Sequence, residues 1–155
     1  MTYRELKELD NGILISHHFS ADSPNDYDAR GSTALNAVSR EHYFALSLAK
    51  DCRRAALSGD EELLMRIYLK VLNAYERLLE PHFQFEETSL LPLLESVEIK
   101  PIAERSLAEH CQLRALLGGL RQRDPESLGS FGKYLTDHVR FEERELVPLF
   151  EELWN

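Results

Sequence analysis

The sequence predicts an all-α protein, an antiparallel four-helix bundle behind an irregular N-terminal arm, and three observations carry that prediction. Apolar residues recur at the i, i+3/i+4 spacing of a buried helical face in four successive segments, with no segment alternating at the period of two that a strand requires. Breakers fall between those segments, at Ser58-Gly59, at Pro92, and at Gly118-Gly119 followed by Asp124-Pro125. The chain also repeats itself: His82–Glu95 (HFQFEETSLLPLLE) returns as His138–Glu151 (HVRFEERELVPLFE), with eight of the fourteen positions identical. A second matched element precedes each copy, Glu41-His42 before the first and Glu109-His110 before the second. Two half-repeats of one helical hairpin, related by a pseudo-twofold axis, account for all of this.

Residues 1–31 read as the arm. They contain the Asp10-Asn11-Gly12 turn signal and a stretch from Ser20 to Gly31 rich in Asp, Ser, Pro and Gly. His17 and His18 lie there side by side, and adjacent residues on a helix or strand point apart, so they read as surface or packing residues. Residues 32–155 read as the bundle. Its first helix starts at the N-cap candidates Ser32-Thr33 and buries Leu35, Val38, His42, Ala45, Leu46, Ala49 and Cys52. Asp60-Glu61-Glu62 opens the second, placing acids where the helix dipole favours them. Its stripe is Leu64, Ile67, Val71, Tyr75, Leu78, His82 and Glu86; Pro81 predicts a kink just before His82, and Pro92 a stop.

The third helix begins near Pro101 and turns Ala103, Leu107, His110, Leu113, Leu117 and Leu120 inward, with Arg114 on the same face. The fourth follows Asp124-Pro125 and turns Leu128, Phe131, Leu135, His138, Glu142 and Leu146 inward, with Pro148 as the matching stop. Tyr75 and Tyr134 share the faces of His82 and His138 and read as packing residues.

The 155 residues make one domain with an ordinary 43% apolar content. A net charge of −9 without any Lys/Arg cluster excludes nucleic acid and anionic membrane as expected partners. No apolar run approaches the roughly 20 residues of a membrane span, and the N-terminus lacks a signal peptide's apolar core. Cys52 and Cys111 are too few for a disulfide framework and read as two part-buried thiols. Together these predict a cytoplasmic protein.

Residues four apart on a helix differ by only ~40° around its axis, so His82 with Glu86, and His138 with Glu142, project together into the core. An unpaired carboxylate there costs several kcal/mol, and two facing carboxylates repel. Any one of these residues alone reads as an ordinary core histidine or a solvated acid. Four histidines and two glutamates at pseudo-symmetric stripe positions, His42, His82, Glu86, His110, His138 and Glu142, read instead as a site for two metal ions. The carboxylates can bridge the ions and the imidazoles cap them, a donor set that suits iron first, with manganese or zinc as alternatives. Glu87 and Glu143 point about 100° away, toward solvent or in support of the ligands.

At these residues, over about 33–151, the chain resembles the hemerythrin-like family, whose HHE cation-binding domain is a four-helix bundle with a non-haem di-iron centre. The resemblance rests on the doubled His-x-x-x-Glu-Glu-x-x-Leu-x-Pro-Leu and the isolated His on each preceding helix. It implies that His42 and His82 hold one iron, His110 and His138 the other, and that Glu86 and Glu142 bridge. The family's oxygen carriers have a further His one turn after the first on the third helix. Arg114 stands at that position here, so the resemblance implies an open coordination position and does not imply oxygen transport.

The expected function is therefore a di-iron protein that binds or senses O2, NO or the redox state of the cell. The alternatives are a di-iron enzyme reducing peroxide or oxygen, and an iron storage, delivery or repair protein. Relatives of the repair kind carry extra Cys-containing segments, which this sequence lacks. A purely structural bundle would fold regardless of chelators.

Overall fold

Asp60 and Asp124 decide where two of the four helices begin. Each carboxylate accepts hydrogen bonds from two otherwise unpaired backbone amides, Glu62 and Leu63 for Asp60, Glu126 and Ser127 for Asp124. The computed structural model describes residues 27–154, and among them it has four helices and no strand. Helix α1 is Tyr27–Ser58. Helix α2 spans residues 61–93, α3 spans 100–121 and α4 spans 125–153, each with an internal irregularity. The positive φ of Gly59, 64°, closes α1 where the sequence places a break. The expected arm falls mostly on residues 1–26, which with His17 and His18 lie outside the described residues.

Helix α1 starts earlier than Ser32-Thr33, which lie within it rather than capping it. Packing explains part of the extension: Gly31 has no Cβ, and a Cβ there would fall on the indole ring of Trp154 at the end of α4. A second missing Cβ lets the same two helices pack closely further along. At Gly132 it would lie 2.7 Å from the carbonyl oxygen of Ala49 and 3.2 Å from Cβ of Cys52.

Three prolines inside helices each follow a wide turn. The segments Tyr75–Leu79, Glu86–Leu90 and Glu142–Leu146 are π-helical, closed by bonds from the amides of Glu80, Leu91 and Val147 to carbonyls five residues back. Pro81, Pro92 and Pro148 come two residues after these turns. A proline lacks the amide that would bond four residues back and its ring clashes with that carbonyl, so a widened turn just upstream accommodates it. The kink expected before His82 is thus a π-turn. Pro92 does end α2, through a short 3-10 turn at Leu91–Leu93. Pro148 does not end α4, which continues to Leu153.

The buried stripes also differ in places from the expected ones, on α2 where a wide turn falls. Leu79 rather than Leu78 is buried on α2. On α3 the inward residue is Ser106, fully buried, while Leu107 is 41% exposed and Leu117 half-buried. Leu46 and Leu64 are also only half-buried, and Tyr134 is exposed. The two cysteines are both unpaired, but Cys52 is wholly buried and Cys111 exposed, so neither is part-buried.

The apolar core comes in two clusters stacked along the bundle. One gathers Ala45 to Ala55 of α1, Ile67 to Phe83 of α2, Leu113 and Leu120 of α3, and Leu128 to Val139 of α4. The other gathers Ala34 to Val38, Phe85 to Leu94, Ala103, Leu146 and Phe150. Between them in every helix lies a polar position: His42, His82 with Glu86, His110, and His138 with Glu142. Antiparallel neighbours bring these positions to one level, a charged layer walled by hydrocarbon on both sides.

Candidate metal centre

All six residues singled out from the sequence meet in that layer, each no more than 2% exposed. They form two overlapping groups whose donor atoms lie within 4.8 Å of one another: His42, His82, Glu86 and Glu142, and Glu86, His110, His138 and Glu142. Both glutamates belong to both groups. Within each half the two imidazoles sit edge to face with centroids 4.8 Å apart, His42 against His82 and His110 against His138.

The α-helical stretches upstream of each π-turn set these directions. Nε2 of His82 lies 2.9 Å from Oε1 of Glu86, and Nε2 of His138 lies 3.1 Å from Oε1 of Glu142, the one-turn pairing that the spacing predicts. Across helices, Nε2 of His42 is 2.9 Å from Oε1 of Glu142, and Nε2 of His110 is 3.4 Å from Oε1 of Glu86. Each imidazole thus turns Nε2 toward the shared carboxylates.

The other ring nitrogen is engaged too, by four acids of which the sequence reading left two, Glu87 and Glu143, as possible supports and did not assign the others, Glu41 and Glu109. Nδ1 lies 2.6 Å from Glu41 in His82, 2.9 Å from Glu109 in His138, 2.7 Å from Glu143 in His42 and 3.0 Å from Glu87 in His110. Four carboxylates around four imidazoles obey the pseudo-twofold: Glu41 and Glu109 precede the isolated histidines, and Glu87 and Glu143 follow the shared glutamates. Glu87 and Glu143 are half-buried supports, one of the two roles open to them from their helical phase. A carboxylate on Nδ1 fixes the tautomer, leaving the Nε2 lone pair free to ligate, and makes the ring a better donor. The signal for Glu41 and Glu109 was a Glu immediately before each isolated His in both halves. Ser106 left none; its buried hydroxyl donates to Oε2 of Glu142 at 3.1 Å.

Burial opposes charge on these rings, yet the neighbouring acids prevail. Desolvation pulls the His82 imidazole down, and the charge of Glu86 with the bond to Glu41 more than offsets it, leaving it well above the usual histidine range. His138 is opposed in the same way by burial and carried by Glu142 and Glu109 to about 10. His42 is also raised, burial being outweighed by Glu142 and Glu143. Glu142, despite the upward push of burial, is held well below the carboxylate range by His138 and His42. The acids of the layer thus hold protons on these rings more tightly than water would.

Even so the protons do not satisfy it. Five of the seven buried polar side-chain atoms that lack a hydrogen-bond partner among the described residues belong here: Nε2 of His82, His110 and His138 and both oxygens of Glu86. Nε2 of His82 is near Oε1 of Glu86 but not aligned with it for a hydrogen bond. A buried polar atom left unpaired costs about 1–3 kcal/mol, more when charged. Lone pairs converging from short range without hydrogen bonds fit a cation, and a mixed imidazole and carboxylate set fits a borderline one such as iron.

The hemerythrin HHE cation-binding domain matches residues 33–150. The chain belongs to the hemerythrin HHE family. Neither the curated proteins nor the solved structures give a match. In this hemerythrin-like chain, the position of the oxygen carriers' further histidine is held by Arg114, which is turned onto Glu80 and Glu87. Its permanent charge is matched there by two carboxylates.

Proposed function

We propose that this hemerythrin-like chain holds two iron ions, one by His42 and His82 and one by His110 and His138, with Glu86 and Glu142 shared. We further propose that it uses them to bind or sense a small ligand, O2, NO or peroxide. The observation that carries the reading is the pair of overlapping donor groups with Glu86 and Glu142 in common, buried and short of hydrogen bonds. When bound, iron would supply redox chemistry and coordination positions that four histidines and two glutamates leave open.

The chain's own residues supply the rest. Glu41, Glu87, Glu109 and Glu143 hold the four rings in one tautomer, and Ser106 steadies Glu142. The Phe83 ring, stacked on His110 at 4.2 Å and edge-on to His138 at 5.9 Å, keeps water off one side of the layer. No helix among the described residues is long and apolar enough to cross a membrane. The two unpaired thiols are consistent with a reducing, cytoplasmic setting.

Sensing and turnover separate in one experiment on iron-loaded protein. A sensor gives a saturable, reversible change in its absorption bands with NO or O2 and no sustained consumption of peroxide with an electron donor. Continuous peroxide consumption, abolished by Glu86→Ala, would replace the sensing reading with the enzymatic one.

A further inference from the structure

The pseudo-twofold that relates the two halves of the centre breaks down one layer outside the histidines. On the His110 side, Glu87 accepts from Nδ1 of His110 and is itself gripped by Arg114, whose Nη1 and Nη2 reach its two oxygens at 3.0 and 2.9 Å. The same guanidinium donates through Nε and Nη2 to both oxygens of Glu80, at 3.1 Å each. Glu80 is fixed in turn by the hydroxyl of buried Tyr75. A planar, five-donor group is suited to binding two carboxylates edge-on, and it spans from α3 to α2 in doing so. Beneath it lies Phe83, 5.7 Å from the guanidinium and stacked on His110.

The matching residues on the His42 side are different. By the repeat, Glu143 corresponds to Glu87, Leu46 to Arg114, Thr136 to Glu80 and Val139 to Phe83. Glu143 lies 2.7 Å from Nδ1 of His42, and among the described residues no Lys or Arg is within ion-pair distance of it. Leu46 is apolar, and the Thr136 hydroxyl bonds its own helix at the carbonyl of Gly132. So, among the described residues, one supporting carboxylate is held at both oxygens and its counterpart by the histidine alone.

We propose that Arg114 is a positioning residue that locks Glu87, and through it His110, so that the two halves of the centre differ in rigidity and the centre opens at His42. This rests on the reading that these histidines hold metal. A carboxylate held by charge-assisted bonds gives up rotamer freedom, and each such bond adds to the cost of releasing the ring it supports. Where the bonds are missing, the ring detaches more readily, and a small ligand or a chelator gains its access there.

The experiment is solvent exchange of the imidazole N–H protons in Co2+-loaded protein, where the paramagnetic ion moves those resonances out of the diamagnetic envelope. The N–H of His42 should exchange at least about tenfold faster than that of His110. In Arg114→Met the His110 proton should speed up to match, with His42 unchanged, and Arg114→Lys, a single point charge, should restore only part of the difference. Equal rates in the wild type, or an unmoved His110 in Arg114→Met, would overturn the proposal. If Arg114→Met does not fold, Glu80→Gln, which keeps the shape and weakens the grip, must show the same acceleration. Absence of shifted resonances with Co2+ would sink the metal reading instead, and the same comparison by nitrogen-15 spectra of metal-free protein would still decide the role of Arg114.

Discussion

Nδ1 of His138 lies 2.9 Å from Oε1 of Glu109, joining the ring on α4 to a carboxylate on α3. Arg105, one turn before Glu109, donates to the other oxygen at 3.0 Å and lays its guanidinium 3.8 Å from the centroid of Phe141. Glu109 is therefore a fixed acceptor. Glu109→Gln should keep the fold and weaken metal binding about 10- to 100-fold, because the ring loses the charge that orients it and raises its basicity. Competition with a chromophoric chelator measures this; unchanged affinity would show the contact to be incidental.

Ser106 makes a separate prediction. Its hydroxyl is a donor to Glu142, and Val38, at the matching place in the first half, offers none to Glu86. Ser106→Ala should leave two ions bound and shift the absorption bands of the iron-loaded protein, since a hydrogen bond to a carboxylate is worth about 1.5–3 kcal/mol. Loss of both ions would make Ser106 a structural requirement.

Proton release follows from the raised histidines. His42, His82 and His138 all hold their protons more tightly than free imidazoles in metal-free protein, His138 up to about 10, so protons leave the layer when the rings ligate. Metal added to unbuffered metal-free protein should therefore acidify the solution. The same shift has a sign for stability. A pKa raised on folding contributes stability that is full below the unfolded value, ~6.5, and is lost as pH rises through the folded value. The urea midpoint of metal-free protein should accordingly fall between pH 7 and about 10. A midpoint that rises across that window would contradict the ion-paired layer.

The two thiols should react unequally. Burial, with a smaller push from Asp51, raises the Cys52 thiol to about 12, whereas Cys111 is exposed. At pH 8, iodoacetamide should add one group to the folded protein and a second only on unfolding, counted by mass. Two rapid additions would mean that α1 and α4 do not pack at Gly132 as described.

The six candidate ligands were legible because they form a local pattern: His and Glu one turn apart, twice, and an isolated His before each. Of the supporting acids, Glu87 and Glu143 were legible as possible supports and Glu41 and Glu109 only as repeated letters, while which ring each acid meets was not, since His42 and Glu143 are 101 residues apart and meet only through packing. Ser106 was hidden by helical phase. The expected stripe ran through Leu107, one residue out, and a buried serine has no hydrophobic signal. Pro148 was misread as a stop because a proline inside a helix looks the same whether the chain ends or widens. The π-turn that decides it is built from ordinary helix formers.

The most direct test of the centre is metal count in paired samples. Wild type and Glu86→Ala are loaded anaerobically with ferrous iron, freed of excess, and assayed for iron per chain. The shared carboxylates predict about two ions in the wild type, and loss of the paired-iron spectrum in Glu86→Ala because both donor groups lose a member. A wild-type count of zero, or a full count with an unchanged spectrum in Glu86→Ala, would contradict a centre built around Glu86 and Glu142.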